Sequence, residues 1–187
     1  MRIFVCFIIM LVSLSSCVTV TNTWAAEEMR ARAEKGEAFA QQVMGMSYLL
    51  GSGVPRDHVA ARFWLRKAAD QGDVYAQIFL GKMLYEGWGG PQDYAEALTW
   101  YRKAAEQGNA DAQSMLGSMY AEGRGVPQES VRAYMWMSLA APSLSGDGKK
   151  KVTDRLATLA RSMTPQQLEQ AQAMAQACRA ARYQHCD

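Results

Sequence analysis

Thr99–Gly108 reads TWYRKAAEQG, and one period of 36 residues earlier Phe63–Gly72 reads FWLRKAADQG. A single copy would invite a chemical reading, because Lys103 and Glu106 stand three residues apart like an acid–base pair. Recurrence decides against it. Ala40–Gly72, Ala76–Gly108 and Ala112–Ala141 align without a gap. The same residue returns at Gly45/Gly81/Gly117, Gly51/Gly87/Gly123, Gly53/Gly89/Gly125 and Pro55/Pro91/Pro127, and again at Ala61/Ala97/Ala133, Trp64/Trp100/Trp136 and Ala68/Ala104/Ala140. Self-similarity at a period of roughly 20–50 residues marks a repeat architecture. The stretch is therefore a building block, with Lys103 and Glu106 a surface pair near a helix end.

Each unit reads as a helix, a loop and a second helix. In the middle unit helix A runs from about Ala76 to Glu86, and the loop is GWGGPQD, whose two glycines take backbone angles that other residues resist. Pro91 cannot continue a helix. Helix B starts near Asp93 as N-cap and ends at Gly108, a usual C′ residue, after which Asn109–Asp111 opens the next helix A. Ala97, Trp100, Tyr101, Ala104 and Ala105 fall on one face of helix B. Two helices cannot bury that face alone, so a neighbouring unit must cover it. Gly81 and Ala104 are expected where helices cross closely, and Trp64, Trp100 and Trp136 as the large side chains of the core.

The pieces LGKML, LGSMY and MGMSY, the G-x-G-V-P-x-D loop and the A-x-x-W-Y-R-K-A-A-E-Q-G block resemble the Sel1-like repeat family, relatives of the tetratricopeptide repeats. The resemblance covers residues 29–141. Its departures are Gly90 for valine in the second loop, Leu84 for tyrosine in the second helix A, and a third unit that loses its closing E-Q-G and runs into Pro142. The expected fold is all-α, an α/α solenoid of three 36-residue helix pairs. Ala31–Gly36 supplies a half repeat in front, and a two-helix C-terminal cap follows the array. The cap reads as a loop over Ser143–Gly148, an amphipathic helix over Lys149–Ser162 and a last helix over Leu168–Ala181, opened by the Thr164 N-cap, Pro165 and a capping-box Gln167. Lys149–Lys151 is either a solvated helix start or a contact for anionic lipid or peptidoglycan.

The first residues differ. MRIFVCFIIMLVSLSSC carries Arg2 and then an apolar run from Ile3 to Val12, too short to span a bilayer and suited to a signal peptide. Leu14-Ser15-Ser16-Cys17 resembles the lipobox of bacterial lipoproteins, which implies lipidation of Cys17, and Val18 implies the outer membrane. The alternative is cleavage near Thr23–Ala26, leaving a soluble periplasmic or secreted protein. The expected organisation is a signal peptide over 1–16, a tether over 17–28, the repeat array over 29–142 and the cap over 143–187. Cys178 and Cys186 remain for a disulfide. In continuous helix they would stand about 12 Å apart, too far to bridge. A bond therefore requires the chain to turn back near Tyr183, and both outcomes stay open.

The chain has 187 residues and a formal charge of +2, from 20 bases against 18 acids, which gives no support to nucleic-acid binding. Its histidines are His58 and His185, and it holds no H-E-x-x-H, G-x-S-x-G, C-x-x-C, S-x-x-K or K-T-G. No catalytic residue, cofactor site or metal site is expected. The family resemblance implies a protein-interaction scaffold that binds another protein or peptide on the concave side of the A helices. The columns that vary between repeats are Gln42, Met46 and Leu49, then Ile78, Lys82 and Tyr85, then Ser114, Ser118 and Ala121, each trio on one helical face. Met46, Leu49, Ile78 and Tyr85 would form an apolar strip for a partner, or for the chain's own residues 18–30. Some cysteine-rich relatives are linked with β-lactams, so an envelope enzyme or ligand-binder acting on peptidoglycan or β-lactams is the alternative. Those relatives carry a cysteine pair in each repeat, and these repeats carry none.

Overall fold

The computed structural model describes residues 26–184 and 186. The expected signal peptide, Cys17 and the tether up to residue 25 lie outside the described residues. Within them every regular element is a helix: 26–34 (α1), Ala38–Leu50 (α2), His58–Asp70 (α3), Val74–Glu86 (α4), Tyr94–Glu106 (α5), Ala110–Glu122 (α6), Ser130–Ala140 (α7), Gly146–Ser162 (α8) and Pro165–Ala180 (α9). Helices α2–α3, α4–α5 and α6–α7 are three stacked pairs, and each helix from α2 to α7 packs on its sequence neighbour. The half unit in front is α1, which takes in residues 26–28, placed in the tether on sequence. Among the described residues no helix is long and apolar enough to cross a membrane.

The loops repeat because their hydrogen bonds repeat. Each helix A stops at a left-handed glycine, Gly51, Gly87 or Gly123, with φ of 74°, 73° and 68°. In the middle loop the amides of Gly87 and Trp88 both donate to the Met83 carbonyl, so the last turn is satisfied. The N-cap residue of helix B then donates back to helix A, Asp57 to Tyr48 at 3.0 Å, Asp93 to Leu84 at 2.9 Å and Glu129 to Tyr120 at 2.9 Å. The second loop glycine does more than turn the chain. A β carbon on Gly89 would stand 2.2 Å from the His58 carbonyl oxygen, and one on Gly125 2.5 Å from that of Tyr94. The second and third loops thus lie against the first turn of the preceding repeat's helix B.

The core corrects one expectation, the full burial of all three tryptophans. Gly81 faces Tyr101 across a close helix approach; a β carbon there would stand 3.1 Å from the phenol ring. Gly45 and Gly117 face Leu65 and Met137 at the same position of their own repeats, so an invariant small residue meets a side chain that changes size. Burial pushes the Tyr101 phenol well above its ordinary pKa. Trp100 and Trp136 are buried, but Trp64 is only half-buried. It packs on the small cluster of Ala33, Ala40 and Met44, where a lone helix stands in for a full preceding repeat.

A polar column runs through this core. Gln41, Gln77 and Gln113 are the buried polar side chains among the described residues, and they donate to the carbonyls of Ala33, Ala69 and Ala105 at 3.1, 3.3 and 3.3 Å. The glutamine closing each helix B completes the column, Gln71 donating to the Gln41 side-chain oxygen at 2.7 Å and Gln107 to that of Gln77 at 2.9 Å. Buried amides held by such bonds fix the register between units.

At the C-terminal end α8 starts three residues earlier than expected, at Gly146 after the Ser145 N-cap, and Asp147 favours the helix start. The last helix is entered through the expected Thr164 capping box and Pro165. The two cap helices do not form a pair of their own: α9 lies along α7, and α8 leans on α7 more lightly. Beyond α9 the chain reverses through Arg182 and Tyr183, both at positive φ, and a disulfide joins Cys178 to Cys186 with Cα atoms 4.9 Å apart. The hook puts the Tyr183 ring against Gly108 and lets Gln184 donate to the Glu106 carbonyl at 3.0 Å. The third repeat has Ser143 where its neighbours have a ladder glutamine, and the Glu106 carbonyl that Gln184 reaches is next in sequence to the Ala105 carbonyl that Gln113 uses.

Candidate interaction surface

Helix A has an inner side and an outer side, and the outer one is rotated from the expected columns. Leu49 is 8% exposed and belongs to the core. Met46, Ile78 and Tyr85 are half-buried against that core, Gln42 is half-buried and Lys82 is exposed. The strip that faces solvent follows positions 39, 43, 46 and 50, spaced four, three and four on one helical face. On α2 it carries Phe39 at 61% and Leu50 at 60% exposure, with Val43 and Met46 between them. On α4 it carries Tyr75 at 63%, then Phe79, Lys82 and Glu86. On α6 it turns polar, with Asp111, Met115, Ser118 and Glu122. The rotation arises because Gly45 and Gly81 turn their side of helix A onto helix B, which draws position 49 inward.

The chain's own cap takes the third repeat's share of this face. Arg155 of α8 donates to the Ser118 hydroxyl at 2.7 Å and ion-pairs with Glu122, and Leu159 packs on the core nearby. The open part therefore belongs to the first two repeats.

Between those two repeats lies a cleft of about 310 Å³, lined by Leu49, Leu50, Arg56, His58, Phe79, Lys82 and Trp88. Trp88, the middle residue of its G-x-G loop, stacks on His58 with ring centroids 5.7 Å apart and planes 26° apart. The Lys82 ammonium lies 5.3 Å from the Trp88 centroid. At the next junction Arg124 holds the position of Trp88 and fills the space. Its guanidinium stands 5.1 Å from the Tyr85 ring and 5.5 Å from the Tyr94 ring, donates to the Tyr85 hydroxyl and pairs with Glu122 at 3.0 Å. Burial, and then the Glu122 charge, raise the Tyr85 pKa.

The helix-B charges serve the scaffold. Arg30 donates to the Tyr48 hydroxyl at 2.5 Å and Arg102 to Tyr120 at 2.9 Å, each 18 residues on. Arg66 occupies the same column, and with Leu84 in the tyrosine position it pairs with Glu96 at 2.5 Å instead. The Arg66 hydrogen bond lowers the Glu96 pKa, and the Trp100 indole N–H donates to the same carboxylate at 3.3 Å. Lys103 lies 4.1 Å from the Trp100 ring centroid. Among the described residues no three His, Cys, Asp or Glu side chains are grouped to hold a metal ion.

The structure defines an α/α solenoid of stacked helix pairs with one open helix face. Residues 38–73, 74–109 and 110–141 each match the Sel1 repeat, and the chain belongs to the Sel1 repeat family. Sel1 repeats generally serve as protein-interaction scaffolds. Among solved structures it is similar to a Sel1 repeat protein from Oxalobacter formigenes, at 36% identity and a TM-score of 0.66 over 71% of this chain and 54% of that one. It is also similar to c5321, a protective antigen present in uropathogenic Escherichia coli strains that displays an SLR fold. That match has 28% identity and a TM-score of 0.61 over 85% of this chain and 42% of the other. The chain thus spans about half the length of these two proteins. Helicobacter pylori cysteine rich protein B shares the fold at 22% identity, with a TM-score of 0.54 over 70% of this chain and 94% of that one. No curated protein matches the sequence.

Proposed function

We propose that this protein is a non-enzymatic adaptor of the bacterial cell envelope, which binds a partner protein or peptide across the open A-helix face of its first two repeats. The observation that carries the reading is the outward strip of Phe39, Leu50 and Tyr75, large apolar side chains more than half exposed on adjacent A helices. Contiguous exposed apolar surface of this kind is uncommon on a chain that binds nothing. Val59 and Phe63 are exposed as well, but on helix B (α3), and the Lys67 ammonium lies 4.7 Å from the Phe63 ring centroid. Export and a lipid on Cys17, with the outer membrane as destination, complete the proposal. They rest on the apolar run from Ile3 to Val12 and on Leu14–Cys17.

A photo-crosslinking residue placed at Phe39 or Tyr75 in living cells tests the surface, with Thr99 on α5 as the exposed control. Adducts are expected at the two A-helix positions and absent at Thr99; the reverse pattern overturns the reading. Intact mass of the envelope form against a Cys17→Ser form reads lipidation. Turnover of nitrocefin or muropeptides by the pure protein, abolished by one point substitution, would remove the non-enzymatic part.

A further inference from the structure

We infer that the cleft between the first and second repeats binds an acidic-apolar peptide segment, with a carboxylate held between Arg56 and Lys82 and a neighbouring apolar side chain seated on Trp88, Phe79 and Leu50. The inference rests on the proposed A-helix interaction face and names the chemistry of what it takes.

Comparison between repeats isolates the residues. The position of Arg56 holds Gln92 and Gln128 in the other units, and both act as clamps, Gln92 donating to the Tyr85 carbonyl at 2.7 Å and Gln128 to that of Ala121 at 2.8 Å. Arg56 replaces this clamp in the first repeat and lines the cleft. The position of Lys82 holds Met46 and Ser118 elsewhere. Among the described residues, neither Arg56 nor Lys82 has a carboxylate at ion-pair distance, whereas Arg32, Arg62, Arg66, Arg124, Arg132 and Arg155 all do. Asp57, beside Arg56, is engaged as the N-cap of α3 and accepts from the Val59 and Ala60 amides. Two cations without a carboxylate partner, one of them over the Trp88 ring, thus flank an apolar slot whose counterpart at the next junction is occupied by Arg124.

Charge complementarity selects the occupant. A guanidinium and an ammonium facing a slot of aromatic and aliphatic side chains suit a carboxylate next to an apolar residue. The chain's own segment before the described residues does not supply one, because residues 1–26 contain no aspartate or glutamate.

The test pans a phage library of random dodecapeptides against the purified protein and measures the enriched peptides by fluorescence anisotropy. Aspartate or glutamate beside an aromatic or aliphatic residue is expected in the binders. Arg56→Gln with Lys82→Ser, residues that the other repeats hold at these positions, is expected to weaken binding about tenfold, as is Glu→Gln in the peptide. Circular dichroism melts of the variant should match the parent. Binding unchanged by this pair but lost with Phe39→Ser and Tyr75→Ser overturns the carboxylate site and leaves the A-helix face standing. Binding indifferent to both pairs, or no enriched peptide, overturns both. Displacement of the selected peptides by a synthetic peptide of residues 18–26 overturns the inference in favour of the chain's own segment.

Discussion

The Gln107 side-chain amide donates to the Gln77 side-chain oxygen at 2.9 Å across the junction of two repeats, and it also reaches the Gly72 carbonyl at 3.3 Å. Gln77 is buried, so losing its partner leaves a polar atom without compensation. Gln107→Ala is expected to destabilise the fold by about 1–3 kcal/mol, measured by urea unfolding. A double-mutant cycle with Gln77→Met should return a coupling of about 0.5 kcal/mol or more, and a coupling near zero would mean the two amides act independently.

Gly89 gives a sharper contrast. It combines a φ of 75° with a carbonyl where a β carbon would go, whereas Gly72 has a φ of 91° and open space around it. Gly72→Ala carries only the backbone strain, about 1 kcal/mol. Gly89→Ala adds an overlap with His58 that no rotamer relieves, and is expected to cost about 2–4 kcal/mol. Equal thermal unfolding of the two variants would show that the loop glycines act through their dihedrals alone.

These two glycines mark the limit of what the sequence discloses. Gly89 was legible as a turn residue, because it recurs with Gly53 and Gly125 beside a proline. That it lies on the preceding helix B was not, since recurrence shows which residues a unit needs and not what they touch. The glutamine ladder was within reach: Gln41, Gln77 and Gln113 recur at the period, and a polar residue recurring on an otherwise apolar face signals a buried hydrogen bond. Of the expected interaction columns, position 46 lies on the strip that faces solvent, while 42 and 49 stand one residue away from it, because a side chain such as Leu49 is apolar whether it faces a partner or the core. The choice between them depends on Gly45 and Gly81 drawing one side of helix A onto helix B, a packing fact. Arg155 covering Ser118 depends on a long-range fold-back with no counterpart in the repeat.

The Arg66–Glu96 pair predicts a pH dependence. The Arg66 hydrogen bond holds the Glu96 carboxyl below its ordinary range, so the unfolded chain takes up that proton at higher pH than the folded one. The contribution is full above the ordinary glutamate value of about 4.3 and is lost as pH falls below it through the depressed folded value. Glu96 is partly exposed, so the pair is worth about 0.5–1 kcal/mol. Urea unfolding should show the parent more stable than Glu96→Gln by that amount at neutral pH, with the gap closing on acidification. A gap that stays constant into acid would assign the loss to packing around Trp100 instead.

The C-terminal hook predicts a local effect of reduction. The Cys178–Cys186 bond closes a short loop, and closure of this size contributes about 2–3 kcal/mol on the chain-entropy account. The loop sits at the end of the array, and repeat proteins pass stability mainly between neighbours. Reduction, or Cys186→Ser, should therefore free Tyr183 from Gly108 and Gln184 from the Glu106 carbonyl without unfolding the first repeat. Hydrogen exchange is the measurement. Amides of 178–184 and of the turn after α5 should exchange faster, while those of α2 and α3 should keep their protection. Faster exchange spread evenly from α2 to α9 would mean that the array unfolds as one unit, and that the disulfide holds the whole solenoid rather than its last seam.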